Sequence, residues 1–351
     1  MTTMGSSASS SSSSNSFDLA PSALSKIEKF ASVNGDVLFG YVEQYLIANS
    51  TNNNDEIDKN GDSPYPPAVV SFGDFLDAGT GSHSLRWMAS IIHRDRLLFA
   101  ATQQSNNGQQ SSSTTTAAAA PRVTMKSYTA ITADESMRRR VHNEATELNI
   151  TKYGDIVIGN WEDTALLAGK MYDTIIADYL IGAMDGFAPY YQDVIFERLV
   201  QHLRPGGRLF VIGLQPIPDS EKFSSSSTGD GDVFCRITKV RDACILLANH
   251  RCYREYPLEW ITRQINRIPT LHVTSTHKFP INYAYETMVR QINVGRSKLS
   301  YFGNKGLAKE MGVLLDELEK ESYTVTKRQK DGKVTIGFDY IVVAERSRNH
   351  K

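Results

Sequence analysis

Between Ala23 and Ala48 the apolar residues Leu24, Ile27, Phe30, Val37, Phe39, Val42, Tyr45 and Leu46 recur at about helical spacing. Asn34-Gly35-Asp36 interrupts them, which predicts two short helices with Asp36 placed to cap the second. A short apolar run then ends at Asp77, two glycines follow at alternate positions, and a helical pattern starts at Ser84. That is strand, tight turn, helix. Val123 to Thr132 alternates as a strand, and Asp134 precedes a helical pattern from Glu135 to Leu148. Gly154 to Asp163 is a third strand with a polar end. Tyr172 to Leu180 is nearly all apolar before Asp178, as in a strand buried on both faces. A helix through Val194, Ile195, Leu199, Val200 and Leu203 stops at Pro205-Gly206-Gly207, and Arg208 to Gly213 is a fifth strand.

Residues 237–268 read as helical and rich in aromatics. Leu271 to Phe279 reads as a sixth strand, and Ala284 to Leu299 and Leu307 to Ser322 as helices. Lys333 to Glu345 alternates again and is expected to pair antiparallel with the sixth strand at one edge. Strands alternating with helices along the whole folded part predict an α/β layer fold with a mainly parallel sheet.

Polar tracts punctuate this pattern and set the organisation. Residues 1–21 form a Ser-rich tail expected to be disordered, because it cannot bury enough surface to fold. Residues 22–66 carry the two helices and a polar linker, 67–346 the main domain, and 347–351 a short tail. Low-complexity insertions at about 102–121 and 216–232 are expected as surface excursions of that domain. The run Arg138-Arg139-Arg140 invites a phosphate-binding reading. On a helix, however, consecutive residues point around the axis, and a solvated face is expected.

Composition narrows the function classes. The 351 residues are 40% hydrophobic and 22% charged, ordinary for a globular chain with a sizeable core. The formal net charge of −1 gives no electrostatic reason to expect nucleic acid or an anionic membrane as partner. Cys235, Cys244 and Cys252 are odd in number and lack a Cys-x-x-Cys pair, so neither a disulfide framework nor a zinc site is indicated. No apolar run is long enough to span a bilayer, and the N-terminus lacks the features of a targeting signal, so a cytoplasmic protein is expected.

The chemistry concentrates at the strand ends. Glycine serves where the backbone must turn tightly or let a ligand come close, and the helix after the turn opens with unpaired N–H groups. Gly79-Thr80-Gly81 is therefore a candidate cofactor turn, with Asp77 just before it. Asp134, Asn160, Trp161 and Asp178 stand after the second, third and fourth strands. In an open α/β sheet those ends converge where strand order reverses.

In its order of motifs the chain resembles the class I S-adenosylmethionine-dependent methyltransferases. DAGTG at 77–81, Asp134, Asn160-Trp161-Glu162-Asp163, Asp178 and the run LRPGGRLFVIG at 203–213 follow that family's sequence of features. The resemblance spans roughly 72–345 and implies a Rossmann-like, doubly wound, seven-stranded sheet whose last strand is antiparallel, with an N-terminal helical lid. It implies S-adenosylmethionine as cofactor. Gly79, Thr80 and Gly81 would cradle its tail and ribose, and Asp77 would meet its ammonium. Thr132 or Asp134 would bind the ribose, the two aligning equally well. Asn160 and Trp161 would meet the adenine, and Asp178 would frame the reactive side.

Asp178 and Tyr179 are the candidate catalytic residues, Tyr179 through a hydroxyl beside the methyl position. Asp185 and His250 are weaker candidates for a base. The family's third glycine is His83 here, either touching the cofactor or, as favoured, pointing outward on the first helical turn. The segment Tyr253 to Trp260 and the N-terminal helices are the expected lid. Tyr41, Tyr253, Tyr256 and Trp260 are placed either as an aromatic wall or as core residues, and Arg251 and Arg254 as partners for a substrate carboxylate.

The expected acceptor is a small molecule, with no metal, nucleic acid or membrane partner and no expectation about oligomeric state. One branch is S-methylation of a methylthio-hydroxy acid (4-methylthio-2-hydroxybutyrate) on the route to dimethylsulfoniopropionate. O- or N-methylation of a small molecule or protein, and an inactive methyltransferase-like binding protein, are the alternatives.

Overall fold

The computed structural model describes residues 19–31, 35–51, 69–97, 122–218 and 230–348. The Ser-rich tail, most of the linker and the cores of both insertions lie outside the described residues.

Seven strands form one sheet: β2 (Asp74–Asp77), β4 (Ser127–Thr132), β5 (Gly154–Ile158), β6 (Tyr172–Asp178), β7 (Leu203–Leu214), β8 (Leu271–Ala284) and β9 (Lys333–Arg346). Their spatial order is β5-β4-β2-β6-β7-β9-β8. The first five pair in parallel. β9 runs antiparallel to both neighbours, β7 and β8. This is the doubly wound α/β sheet with one antiparallel strand expected from the sequence. Two short strands ahead of β2 and β4, β1 (Val69–Ser71) and β3 (Arg122–Thr124), pair in parallel as a separate ladder.

Helices cover both faces. On one lie α1 (Pro21–Ile27), α2 (Val37–Thr51), α3 (Ser82–Ile92) and α4 (Glu135–Glu147), closing a core around Phe39, Phe75, Trp87 and Phe210. Side-chain oxygens start two of them. Asp36 Oδ1 accepts from the amides of Leu38 (3.2 Å) and Phe39 (3.1 Å) ahead of α2, and Asp134 Oδ1 accepts from Met137 N (2.7 Å) ahead of α4. The arginines of α4 are exposed or partly exposed, and Arg138 pairs with Glu135 within the helix at 2.6 Å.

The opposite face carries α5 (Leu180–Phe187), α6 (Ile195–Gln201) and α8 (Leu258–Asn266) over a core around Leu76, Trp161, Phe196 and Tyr340. The strand expected to run to Leu180 ends at Asp178, and Leu180 already belongs to α5. The helical stretch expected over 237–268 is two helices, α7 (Asp232–Leu247) and α8, joined by an extended strap over 250–257.

β8 and β9 run on past the end of β7, pairing Asn282 with Thr335 and Ala284 with Lys333. This overhang packs with α7, α9 (Tyr285–Lys298) and α10 (Lys305–Arg328) around a third core that includes Tyr283, Ile292, Leu315 and Ile336. Among the described residues, no helix is long and apolar enough to cross a membrane, and no group of His, Cys, Asp or Glu is arranged to hold a metal.

Candidate functional site

Strand order reverses around β2: the chain leaves it toward β4 and β5 on one side and returns to β6 and β7 on the other. Such a switch point opens a crevice at the carboxyl ends of the strands. A cleft of about 310 Å³ lies there. Its floor is the glycine turn, Gly79, Thr80 and Gly81, after β2. One wall is Thr132 and Asp134 after β4, with Asn160 and Trp161 after β5. The other is Asp178 at the end of β6 and the α5 residues Leu180, Ala183, Met184 and Phe187. Tyr253 of the strap stands at its edge, half-exposed. A more open hollow of about 510 Å³ lies at the opposite ends of the same strands, between Asp74, Tyr153, Asp155 and Lys170. It contains none of these residues.

The turn is shaped by what surrounds it. A Cβ on Gly79 would sit 2.8 Å from Leu180 Cδ1, so any larger residue there makes the Leu180 side chain of α5 shift. A Cβ on Gly81 would meet nothing within 4 Å, so at that position it is open space beside the cleft that glycine preserves. Thr80 N–H donates to Ile131 O at 2.7 Å and ties the turn to β4.

Asp77 lies behind this turn and is fully buried. Its Oδ1 faces the Gly79 amide at 3.4 Å, while its Oδ2 has no hydrogen-bond partner. Burial pushes its carboxyl above the ordinary range, against the opposing pull of the Gly79 amide and the nearby Ser84 and Thr80 hydroxyls. At the end of the neighbouring strand, burial together with the charges of Asp77, Asp36 and Asp339 pushes Asp178 up to about 8. No Lys or Arg pairs with either carboxylate among the described residues. These two carboxyl groups thus have no protein counter-ion among the described residues and hold their protons more tightly than usual.

Several polar atoms that reach the cleft are committed to its walls. Asn160 Nδ2 donates to Phe187 O at 2.7 Å, and its Oδ1 accepts from Glu162 N at 3.1 Å. Trp161 is buried, and its indole N–H donates to Ala78 O at 2.7 Å. Both residues therefore lock the β5 loop to α5 and to the glycine turn, and offer the cleft mainly their apolar surfaces. Asp134 uses Oδ1 for its cap and for Ser136 Oγ, both at 2.7 Å. Thr132 is buried at the end of β4.

Tyr179 does not line the cleft. It has left-handed backbone angles, φ 48° and ψ 18°, at the start of α5. Its side chain packs against the core under α1–α3, and its hydroxyl bonds Asp339 of β9. A non-glycine residue held there costs on the order of 1–3 kcal/mol, a strain that the Asp339 bond helps to hold. Burial, together with the charge of Asp339, pushes the Tyr179 hydroxyl far up and makes it a hydrogen-bond donor rather than a base.

His250 packs against Tyr301, away from the cleft. Tyr41 stacks on His277 at 4.9 Å, and Tyr256 packs on Trp260 at 4.5 Å, so of the four expected wall aromatics only Tyr253 reaches the cleft. Glu255, hidden from the sequence reading, lies under α5, where a Cβ on Gly182 would meet its Oε2 at 2.9 Å. Burial and the charge of Asp339 push it up to about 7. Neither Asp339 nor Glu255 sits in a recognisable motif. Asp339 is distinguished in sequence only as a charge in the apolar run of the last strand.

No protein-family model and no curated protein matches the sequence. Solved structures match by shape. A candidate sarcosine dimethylglycine methyltransferase from Galdieria sulphuraria has 11% identity and a TM-score of 0.38, covering 88% of this chain and 87% of its own. The mycolic acid cyclopropane synthase CmaA1, solved with SAH and CTAB, has 12% identity and a TM-score of 0.40, covering 81% and 80%. An O-methyltransferase family protein from Burkholderia thailandensis has 9% identity and a TM-score of 0.40, covering 92% and 63%.

Proposed function

We propose that the chain is a class I S-adenosylmethionine-dependent methyltransferase acting on a small-molecule acceptor. The observation that carries this reading is a glycine-floored cleft at the switch point, lined by Asp178 and backed by the buried Asp77, neither of which has a cationic partner among the described residues. A buried carboxylate with an unmet oxygen is unfavourable on its own, so the site suits a ligand that brings positive charge. S-adenosylmethionine carries an ammonium and a sulfonium, and when bound it supplies an activated methyl group.

The protein's own part is binding, alignment and exclusion of water. In this reading Asp77 takes the ammonium and the Gly79–Gly81 backbone closes on the tail. Thr132 or Asp134 bonds the ribose hydroxyls, a role for which a carboxylate or hydroxyl acceptor is suited. Asn160 and Trp161 bound the adenine with apolar surface. Asp178 faces the reacting end, and in its ionised form, favoured as pH rises toward about 8 or by a bound cation, it is placed to take a proton from a hydroxyl or ammonium acceptor. A thioether acceptor needs no base.

Asp178, Asp339 and Glu255 make the region around that end acidic, which favours an acceptor that gains positive charge on methylation. A thioether becoming a sulfonium, as in S-methylation of a methylthio-hydroxy acid, and an amine becoming an alkylammonium both meet that condition. For the hydroxy acid, Arg251 or Arg254 of the strap would hold the carboxylate. The three free cysteines suit a reducing, cytoplasmic setting.

Calorimetry tests the first step. The wild type is expected to bind S-adenosylmethionine and Gly79→Arg to lose binding, because a side chain there meets Leu180 and fills the cleft floor. A wild type that does not bind overturns the methyltransferase reading. Labelled cofactor incubated with pools of small thioethers, amines, hydroxy acids and whole protein then identifies the acceptor. Label appearing only in protein would exclude a small-molecule acceptor.

A further inference from the structure

His83 is the second residue of α3, directly after the glycine turn, and it does not face the cleft. Its ring is wedged against the N-terminal helices, 5.2 Å from Phe30 and 5.5 Å from Phe39 between centroids. Nε2 lies 2.7 Å from Asp36 Oδ2, and Nδ1 lies 3.4 Å from Lys29 Nζ. The neutral imidazole with its proton on Nε2 satisfies both contacts: it donates to the carboxylate and accepts from the ammonium.

Asp36 is itself bivalent. One oxygen caps α2 through the amides of Leu38 and Phe39, and the other takes the His83 proton. A single carboxylate therefore fastens the start of α2 to the first turn of α3. That turn carries Gly81 as its N-cap, and Gly79–Gly81 is the cleft floor. The charge of Asp36 also reaches Asp178, whose carboxyl it helps to raise. A glycine at position 83 would leave Asp36 Oδ2 without its imidazole donor.

We propose that His83 is a positioning residue that seats the N-terminal helices on the glycine turn, so that donor binding and docking of α2 are coupled. The coupling rests on the methyltransferase reading above. The physical route is short and rigid: the ligand fixes the turn, the turn fixes the start of α3, and His83 passes that order to Asp36 and the α2 cap. Linkage makes the effect reciprocal, so undoing the His83–Asp36 contact must weaken donor binding.

Calorimetry with S-adenosylmethionine and amide hydrogen exchange of residues 37–49, with and without it, test this in the full-length chain. In the wild type the donor is expected to slow exchange in α2. His83→Ala is expected to bind the donor about 5- to 20-fold more weakly, within the usual range of coupled sites, and to lose the slowing in α2. His83→Gln, which keeps one donor and one acceptor, is expected to restore most of both. Asp36→Asn keeps an oxygen for the cap and removes the charge, and must move in the same direction as His83→Ala. If His83→Ala lowers the melting temperature but leaves donor affinity and the α2 response unchanged, His83 is a structural residue only and the coupling is overturned. A wild type that does not bind the donor removes the methyltransferase reading and the coupling together, whereas a binding wild type with an unmoved variant removes the coupling alone.

Discussion

Asp178→Asn should make the ligand-free protein more stable at alkaline pH while impairing methyl transfer. In the folded chain Asp178 is pushed up to about 8 from 3.8, first by burial and then by Asp77, Asp36 and Asp339. The native state therefore binds this proton more tightly than the unfolded state. Stability must fall as pH rises from about 4 to about 8, and stay flat above that. Each unit of such a shift corresponds to about 1.4 kcal/mol, so the ionised carboxylate weakens the native state by at most about 6 kcal/mol. Relaxation and water in the cleft reduce that ceiling, and about 2–3 kcal/mol is expected. For a domain of this size, with an unfolding entropy of about 0.6 kcal/mol/K, that is roughly 3–5 °C in Tm.

The assay is thermal unfolding of wild type and Asp178→Asn without ligand, at pH 5 and pH 9. At pH 5 the wild-type group is still neutral in the fold and only the first part of the fall from pH 4 has occurred, so the variant's advantage should be smaller there than at pH 9. At pH 9 the variant should melt higher. A variant that melts lower at pH 9, or whose gain is the same at both pH values, refutes the reasoning, because the effect would then not arise from ionisation of this carboxylate.

Glu43→Ala should cost about 3–5 kcal/mol in urea unfolding, because it strips a buried acceptor shared by Trp87 Nε1 at 2.9 Å and Arg94 Nη2 at 2.8 Å and leaves Arg94 unpaired. Glu43→Gln should cost less, since Trp87 keeps its acceptor. Gly213→Ala should cost about 1–3 kcal/mol through overpacking, because its Cβ would sit 2.4 Å from the hydroxyl of the buried Tyr340. It should also break the 2.7 Å bond from Tyr340 to Tyr256 O and speed proteolysis within 250–257; an unchanged cleavage pattern would show that this bond does not hold the strap.

The sheet was legible in the sequence because three of its five parallel strands are short apolar runs ending in a polar residue beside the glycine turn or the cleft: Asp77, Thr132 and Asp178. Periodicity and the glycine turn suffice for that. Asp36 and Asp134 were legible as caps because the residue ahead of a helix carries a chemical signature. The wall formed by α5 was not. LIGAMDGF has two glycines and no helical stripe, since it is pressed between the cleft and the β6–β7 core and is apolar nearly all round. The division of labour at Asn160 and Trp161 was also hidden, because whether a polar atom faces a ligand or locks a loop is a matter of angle, not of residue type. The outward turn of His83 agreed with expectation, but its partners lie 47 and 54 positions earlier in the chain, beyond any local pattern.

The place of β9 between β7 and β8 has a consequence for biosynthesis. Both neighbours precede it in the chain, so each emerges from the ribosome with a bare edge where β9 will pair. That exposure lasts through the 48 residues between Ala284 and Lys333, several seconds at ordinary elongation rates of about 5–20 residues per second. Two unpaired edges of 12 and 14 residues are templates for pairing with another chain. Lys278 and Pro280 on β8 and Pro205 with its two glycines on β7 are the kind of residues that discourage such pairing. The acidic surroundings of Asp178, to which the charge of Asp339 on β9 contributes, are complete only when that gap is filled. Until then, the half-built protein lacks the carboxylate that faces the Tyr179 hydroxyl.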